Sequence, residues 1–187
     1  MHNLEELLSE VPVIAAIRNN EDLEKVLKCD NRIVFVLYGS ILDIGEICHR
    51  LKTAHKLIFV HLDMIDGLKS DGKGIEFIKK VGEPYGIITT KTSNIKCAGN
   101  LGLYSILRVF ILDSQSLQTG MHNIHSVSPD AVEVLPGVAS KIINIIKKDT
   151  HVPIIAGGLI HNKKDVIDAM SAGAISVSTS TEEVWRL

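Results

Sequence analysis

The chain has 187 residues, a formal net charge of −2, an apolar fraction of 45% and only 4% aromatics. That is enough chain for one sizeable core filled by aliphatic side chains. A charge so near neutral excludes a protein that grips nucleic acid through a broad basic face; any such surface must be local or built by assembly.

No run reaches the roughly 20 apolar residues that span a bilayer, so no membrane segment is expected. The start, Met-His-Asn-Leu-Glu-Glu, lacks the basic and apolar regions of a signal peptide. Cys29, Cys48 and Cys97 are an odd, widely spaced set without a CxxC, which points to reduced thiols in a cytoplasmic protein.

In chain order, residues 11–17 form an apolar run too short for a surface helix and read as a buried strand. Asn19-Asn20 followed by Glu21-Asp22 marks a helix start, and Leu23, Val26 and Leu27 supply its apolar stripe. Runs at 33–39, 57–63, 86–90, 104–112 and 131–135 read as strands two to six. Helices are expected at 44–54, 71–81, 94–101, from 113 onward and at about 138–148. The stretch 152–180 completes the series: Val-Pro-Ile-Ile-Ala-Gly-Gly is strand seven, a charged helix follows over 162–172, and Ile-Ser-Val-Ser-Thr-Ser is strand eight. Residues 181–185 are a stub of a last helix.

Strands alternating with helices imply a parallel sheet with right-handed crossovers. A count of eight predicts closure, as one compact α/β domain over residues 1–187: a (β/α)8 TIM-type barrel with short loops, since that fold usually takes ~250 residues. The rival is an open doubly wound sheet, which uses a glycine-rich loop after its first strand, where this chain has Arg18-Asn19-Asn20.

Such barrels hold ligands at the C-terminal ends of their strands. Those ends carry Arg18, Asp43, His61, Asp63, Asp66, Lys91, Arg108, Glu133, Gly137, Gly157, Gly158, Ser178, Thr179 and Ser180. Gly157-Gly158 lets backbone N–H groups approach a ligand, and Ser178-Thr179-Ser180 opens a helix whose free N–H groups favour an anion. At adjacent strand ends these loops make an expected phosphate site, although each is also ordinary turn and cap chemistry. His61 and Asp63, two apart in an expected strand, share a face toward the mouth. They read either as a hydroxyl-binding or acid–base pair or as a hydrogen-bonded pair filling the barrel. Adding Asp66 would make a metal cluster, but no ligand spacing supports it, and no metal or cofactor is expected.

Arg108 and Glu133 are embedded in apolar strands and must be paired, because an isolated buried charge costs several kcal/mol. Strands five and six are neighbours, so each can pair the other, either as a brace or while also orienting ligand hydroxyls or phosphate. Lys91 reads as an anion's counter-ion or as a solvated loop lysine. The other histidines, His161 among them, show no ligand spacing and read as surface residues. No nucleophile motif, P-loop or dinucleotide fingerprint occurs.

The blocks Phe-Val-His-Leu-Asp-Met-Ile-Asp-Gly-Leu, Gly-Ile-Ile-Thr-Thr-Lys, Arg-Val-Phe-Ile-Leu-Asp-Ser, Val-Glu-Val-Leu-Pro-Gly, Ile-Ile-Ala-Gly-Gly-Leu-Ile and Val-Ser-Thr-Ser occur in that order. Over nearly the whole chain they resemble the glycerol-3-phosphate responsive antiterminator family. The resemblance implies a phosphate-binding barrel and a non-enzymatic regulator of glycerol uptake operons. Such a regulator binds the 5′ leader of its mRNA when glycerol 3-phosphate is present, so that transcription passes a terminator. Carried over by position, the phosphate lies on Gly157, Gly158, Ser178, Thr179 and Ser180. The glycerol hydroxyls lie near His61, Asp63, Arg108 and Glu133, with Lys91 and Gly137 nearby and Arg18 and Asp66 in support. The expected ligand is thus an effector rather than a cofactor, and its capture is expected to order the mouth and a homodimer contact.

The resemblance assigns no RNA contacts. Lys141, Lys147, Lys148, Lys163 and Lys164 read as a local basic patch or as solvated helix faces. The alternative is a phosphosugar or phosphotriose isomerase, lyase or synthase with Asp63 or Glu133 as general base. A third reading is a metabolite sensor that acts through a protein partner.

Overall fold

The computed structural model describes residues 4–187, and its eight parallel strands close on themselves in chain order. They are β1 (Val13–Ile17), β2 (Ile33–Val36), β3 (Leu57–His61), β4 (Gly86–Thr89), β5 (Tyr104–Phe110), β6 (Ala131–Leu135), β7 (Ile154–Gly157) and β8 (Ser176–Thr179). The helices α2 (Asn20–Val26), α3 (Ile44–Thr53), α4 (Gly72–Gly82) and α5 (Thr92–Asn100) follow the first four strands. After the last four come α6 (Ser114–Val127), α7 (Ser140–Asp149), α8 (Lys163–Ser171) and α9 (Glu182–Trp185). Closure is carried by β1 against β8, with Val13 opposite Val177, Ile14 opposite Ser178 and Ala15 opposite Thr179. That ladder excludes the open sheet.

Successive strand side chains point to opposite faces, so a strand buried on both sides must be apolar throughout. One set (Ile14, Phe35, Phe59, Ile88, Ile106, Ile155) fills the lumen. The alternate set (Val13, Val34, Val60, Ile87, Leu107, Val132, Val177) packs against the helices. The sparse aromatics are concentrated at the base of the lumen. Phe35, Phe59, Tyr85 and Tyr104 make a chain of ring contacts with centroids 5.8, 5.9 and 5.0 Å apart. Gly86 lies under these rings, and a Cβ there would meet Phe59 Cε1 and the Tyr104 carbonyl oxygen, each at 2.5 Å.

A helix that the sequence reading did not anticipate, α1 (Leu4–Ser9), plugs this base. Leu4, Leu7, Leu8 and Val11 join the lumen cluster. The Ser176 hydroxyl lies 2.8 and 2.7 Å from the carbonyl oxygens of Leu8 and Val11, which ties the plug to β8. At the other end of the chain α9 is a single turn. Its Trp185 is 5% exposed and donates from Nε1 to the Thr179 carbonyl at 2.7 Å, sealing the outer side of β8.

Several strands are shorter than their apolar runs. The third stops at His61, and Leu62–Met64 form a turn of 3-10 helix. No helix among the described residues is long and apolar enough to cross a membrane.

Candidate functional site

The C-terminal ends of the strands form a mouth with two polar rims on opposite sides. At the β7–β8 rim the parallel register sets Arg108 of β5 beside Glu133 of β6. Arg108 Nε donates to Glu133 Oε2 at 2.6 Å, with the two residues 8% and 1% exposed. The Ser178 hydroxyl donates to the other carboxylate oxygen, Oε1. Gly157 makes room for that carboxylate: a Cβ there would stand 2.5 Å from Glu133 Oε1. Buried charge is tolerable only when it is paired and further hydrogen-bonded, and Glu133 satisfies both conditions. Arg108 is satisfied at Nε alone; its terminal nitrogens have no protein acceptor among the described residues.

Above this pair opens a cavity of about 250 Å³ whose lining includes Arg18, Arg108, Gly158, His161, Ser180 and Thr181. The loop after β7 turns across it with two successive left-handed residues, Gly158 at φ +78 and Leu159 at φ +61. For a residue with a Cβ that conformation costs about 1–2 kcal/mol, and such strain gathers at ligand sites. Arg18 is exposed and its guanidinium has no carboxylate partner among the described residues.

His161 is exposed, as expected of a surface histidine, but it belongs to the cavity wall. Its Nδ1 lies 3.2 Å from the Thr181 hydroxyl, which itself donates to the Ile160 carbonyl at 3.2 Å. The hydroxyl therefore accepts from Nδ1–H, and Nε2 is left uncommitted. The signal that would have found it is position: a histidine four residues past the end of a strand at the ligand-binding face.

The β7–β8 loops differ in detail from the expected phosphate cradle. Thr179 alternates to the outer face, where its hydroxyl donates to the Ile160 carbonyl at 2.6 Å. Ser178 is engaged with Glu133, so of the three only Ser180 keeps a hydroxyl without a partner among the described residues. The helix N-termini contribute little positive potential. Asn162 and Asp165 form a capping box on α8, and α9 is one turn with Glu182 and Glu183 at its start. Attraction for an anion must therefore come from the cationic side chains. Gly137 backs the site rather than lining it: its N–H donates to the Gly157 carbonyl at 2.6 Å, and a Cβ would meet Ala156 C at 2.9 Å.

At the β3–β4 rim, Asp63 lies beyond the end of its strand and not in the lumen. Its carboxylate accepts from Ser70 Oγ at 2.6 Å, the Thr90 N–H at 2.8 Å, and the hydroxyls of Thr89 and Thr90 at 3.2 Å each. Burial pushes its pKa up, but the hydrogen bonds from Ser70 and Thr90 outweigh this and hold it below the usual value. Lys91 Nζ donates to the Ser70 carbonyl at 3.1 Å and stands 3.9 Å from Asp63. Neither Asp63 nor Lys91 lines the cavity under the β7–β8 loops. Asp66 is further out, bridged through its backbone to Ser40. No group of three His, Cys, Asp or Glu among the described residues is placed to hold a metal.

His61 lies between the rims. It is 2% exposed, and its Nδ1 is buried without a hydrogen-bond partner, 3.8 Å from Asp63 Oδ2. Burial, then the positive charge of Arg108, push its pKa down to about 4, so the ring is neutral at pH 7.

Fold and site together define an eight-stranded parallel barrel with a polar, cation-walled cavity at its C-terminal mouth. The chain belongs to the glycerol-3-phosphate responsive antiterminator family, whose model matches residues 13–185. It is 36% identical to the uncharacterized protein YgcP of Escherichia coli K12, over 97% of this chain and 95% of that protein. The glycerol uptake operon antiterminator regulatory protein of Listeria monocytogenes superposes with a TM-score of 0.90 at 32% identity, covering 92% of this chain and 94% of that one. A glycerol uptake operon antiterminator-related protein of Thermotoga maritima gives 0.83 at 32% identity, covering 94% and 98%. Aldolase barrels align at 11 to 13% identity, a likeness that carries the fold alone.

Proposed function

We propose that this chain is an effector-responsive transcription antiterminator that binds glycerol 3-phosphate at the β7–β8 side of the mouth and the 5′ leader of glycerol-operon mRNA. The observation that carries the ligand half is Arg108: a guanidinium 8% exposed, held by Glu133 at Nε, with its terminal nitrogens unmatched beside the cavity. A cation so placed is a receptor for an anion or a hydroxylated ligand, because a bidentate partner would complete its hydrogen bonding. The phosphate is assigned to the outer part of the cavity, against Arg18, His161, Gly158 and Ser180. The glycerol hydroxyls are assigned to the inner part, against Arg108 and Glu133. A cavity of about 250 Å³ suits a three-carbon phosphate better than a larger ligand.

An enzyme on this site would need a general base within reach of the ligand and with a lone pair to spare. Glu133 accepts one hydrogen bond at each oxygen, from Arg108 and Ser178, and so keeps capacity for a ligand hydroxyl, while Asp63, with four donors, lies on the other rim outside the cavity. Membership of the antiterminator family favours the regulatory reading over an enzyme.

The RNA half rests on family membership. Lys141, Lys148 and Lys163 on α7 and α8 have no carboxylate partner among the described residues, whereas Lys164 is paired with Asp168. The test is leader-RNA binding with and without glycerol 3-phosphate over a salt series. The reading expects binding that requires the effector and weakens with salt. No binding in either state at low salt would overturn it.

A further inference from the structure

Among the described residues α6 is the one helix with no formally charged side chain, over all 14 of its residues. Its inner side is ordinary, with Gly120 and Ile124 buried against the barrel. Its outer side is a stripe of exposed neutral groups: Gln115, Gln118, Thr119 and His122. Just before it, Phe110 is 50% exposed and Leu112 is 85% exposed. Beside them runs an open groove of about 480 Å³, lined by Phe110, Gln115, Thr119 and Asn123 together with two charged residues already engaged, Asp113 in the cap of α6 and Arg108, 8% exposed, on Glu133. Charge beside this stripe is limited to Asp113, which caps the start of α6, and to the flank, where His125 meets Asp149 of α7 at 2.7 Å.

An outer helix face is normally kept hydrated by charges, and charge depletion beside exposed apolar side chains is the compositional mark of an interface core. The chemistry also selects the occupant. Nucleic acid is held through its phosphates by Lys and Arg; α6 has neither, and the one such residue at the groove, Arg108, is buried on Glu133. A two-fold axis brings each side chain near its own copy, so a charge close to the axis would meet a like charge. Amides and hydroxyls are donors and acceptors at once and can pair with themselves.

We propose that the uncharged face of α6 is a two-fold homodimer interface, with Phe110 and Leu112 of one copy covering the α6 groove of the other. Sedimentation velocity on the full chain, over a concentration series and without effector or RNA, is the test; it succeeds or fails apart from the functional reading. The wild type is expected to approach the dimer mass, and Leu112→Glu and Gln118→Glu to sediment as monomers. Both positions are exposed, so the variants' melting curves should match the wild type once it is diluted to the monomer. As a second measurement, Gln118→Cys in a Cys97→Ser background should form a covalent dimer with a short bis-maleimide, while Lys80→Cys on α4 should not. A wild type that stays monomeric throughout, a dimer retained by both glutamate variants, or no cross-link at position 118 would each overturn the proposal.

Discussion

At the β3–β4 rim, the Asp63 carboxylate takes four hydrogen bonds, and Lys91 is tied to the carbonyl of Ser70. At the β7–β8 rim, Arg18 has no anionic partner, and the terminal nitrogens of Arg108, Nε2 of His161 and the Ser180 hydroxyl have no protein partner among the described residues. The two rims draw on similar residue types. They differ in how much hydrogen-bonding capacity the protein itself already uses. A rim satisfied internally holds its strands and turns in place, and a rim left unsatisfied offers that capacity to a ligand. The distinction lies in partners, not in composition.

Substitutions on the two rims should therefore separate stability from affinity. The largest effect is expected at the shared base. Glu133→Gln leaves Arg108 charged and buried without its carboxylate, and should lower the unfolding free energy by about 3–5 kcal/mol in chemical denaturation. At the satisfied rim, Asp63→Ala removes the charged acceptor of four donors and should cost about 1.5–3 kcal/mol. Its affinity for glycerol 3-phosphate, measured by calorimetry, should stay within a few-fold of wild type.

His61 gives the comparison a pH axis. Its pKa is lowered to about 4 in the folded protein from 6.5. Between those values the unfolded chain binds the additional proton. The stability from burying a neutral ring is thus complete above about pH 6.5 and is lost as pH falls toward 4. Between pH 7 and pH 5 this amounts to about 2 kcal/mol, and His61→Gln should flatten the profile. Asp63 acts in a different window, because its pKa is held below 3.8 and its contribution is lost only under more acidic conditions.

The smallest free-energy effect is expected at the open rim. Arg18→Gln should weaken glycerol 3-phosphate binding about tenfold, near 1.4 kcal/mol, with no change in melting temperature. A stability loss at Arg18, or an affinity loss at Asp63, would erase the contrast between the rims.

The barrel was legible because its strands are aliphatic runs buried on both faces, separated by helices with capping residues at their starts. Asn19, Asp113 and Asn162 do cap α2, α6 and α8. The pairing of Arg108 with Glu133 was legible for a physical reason: two opposite charges in adjacent apolar strands have few other partners. Helix α1 was not, since its six residues are too few to show a period, and the helix is stabilised by burying Leu4, Leu7 and Leu8 under the barrel. The two-residue spacing of His61 and Asp63 misled, because it holds only while a strand continues, and β3 ends at His61. Gly157 was read as a place for a ligand to approach the backbone; in the fold it clears space for Glu133 Oε1. The outward turn of Thr179 follows from the two-residue alternation of β8, and the place of His161 from its position four residues past β7.

The most direct test of the division between the rims is a ¹H–¹⁵N correlation spectrum followed through a glycerol 3-phosphate titration. The largest shifts are expected at the amides of Gly158, Leu159, Ser180 and Thr181, with Thr90 and Lys91 nearly unmoved. Shifts concentrated at Ser70, Thr90 and Lys91, with Gly158 and Ser180 unchanged, would contradict it.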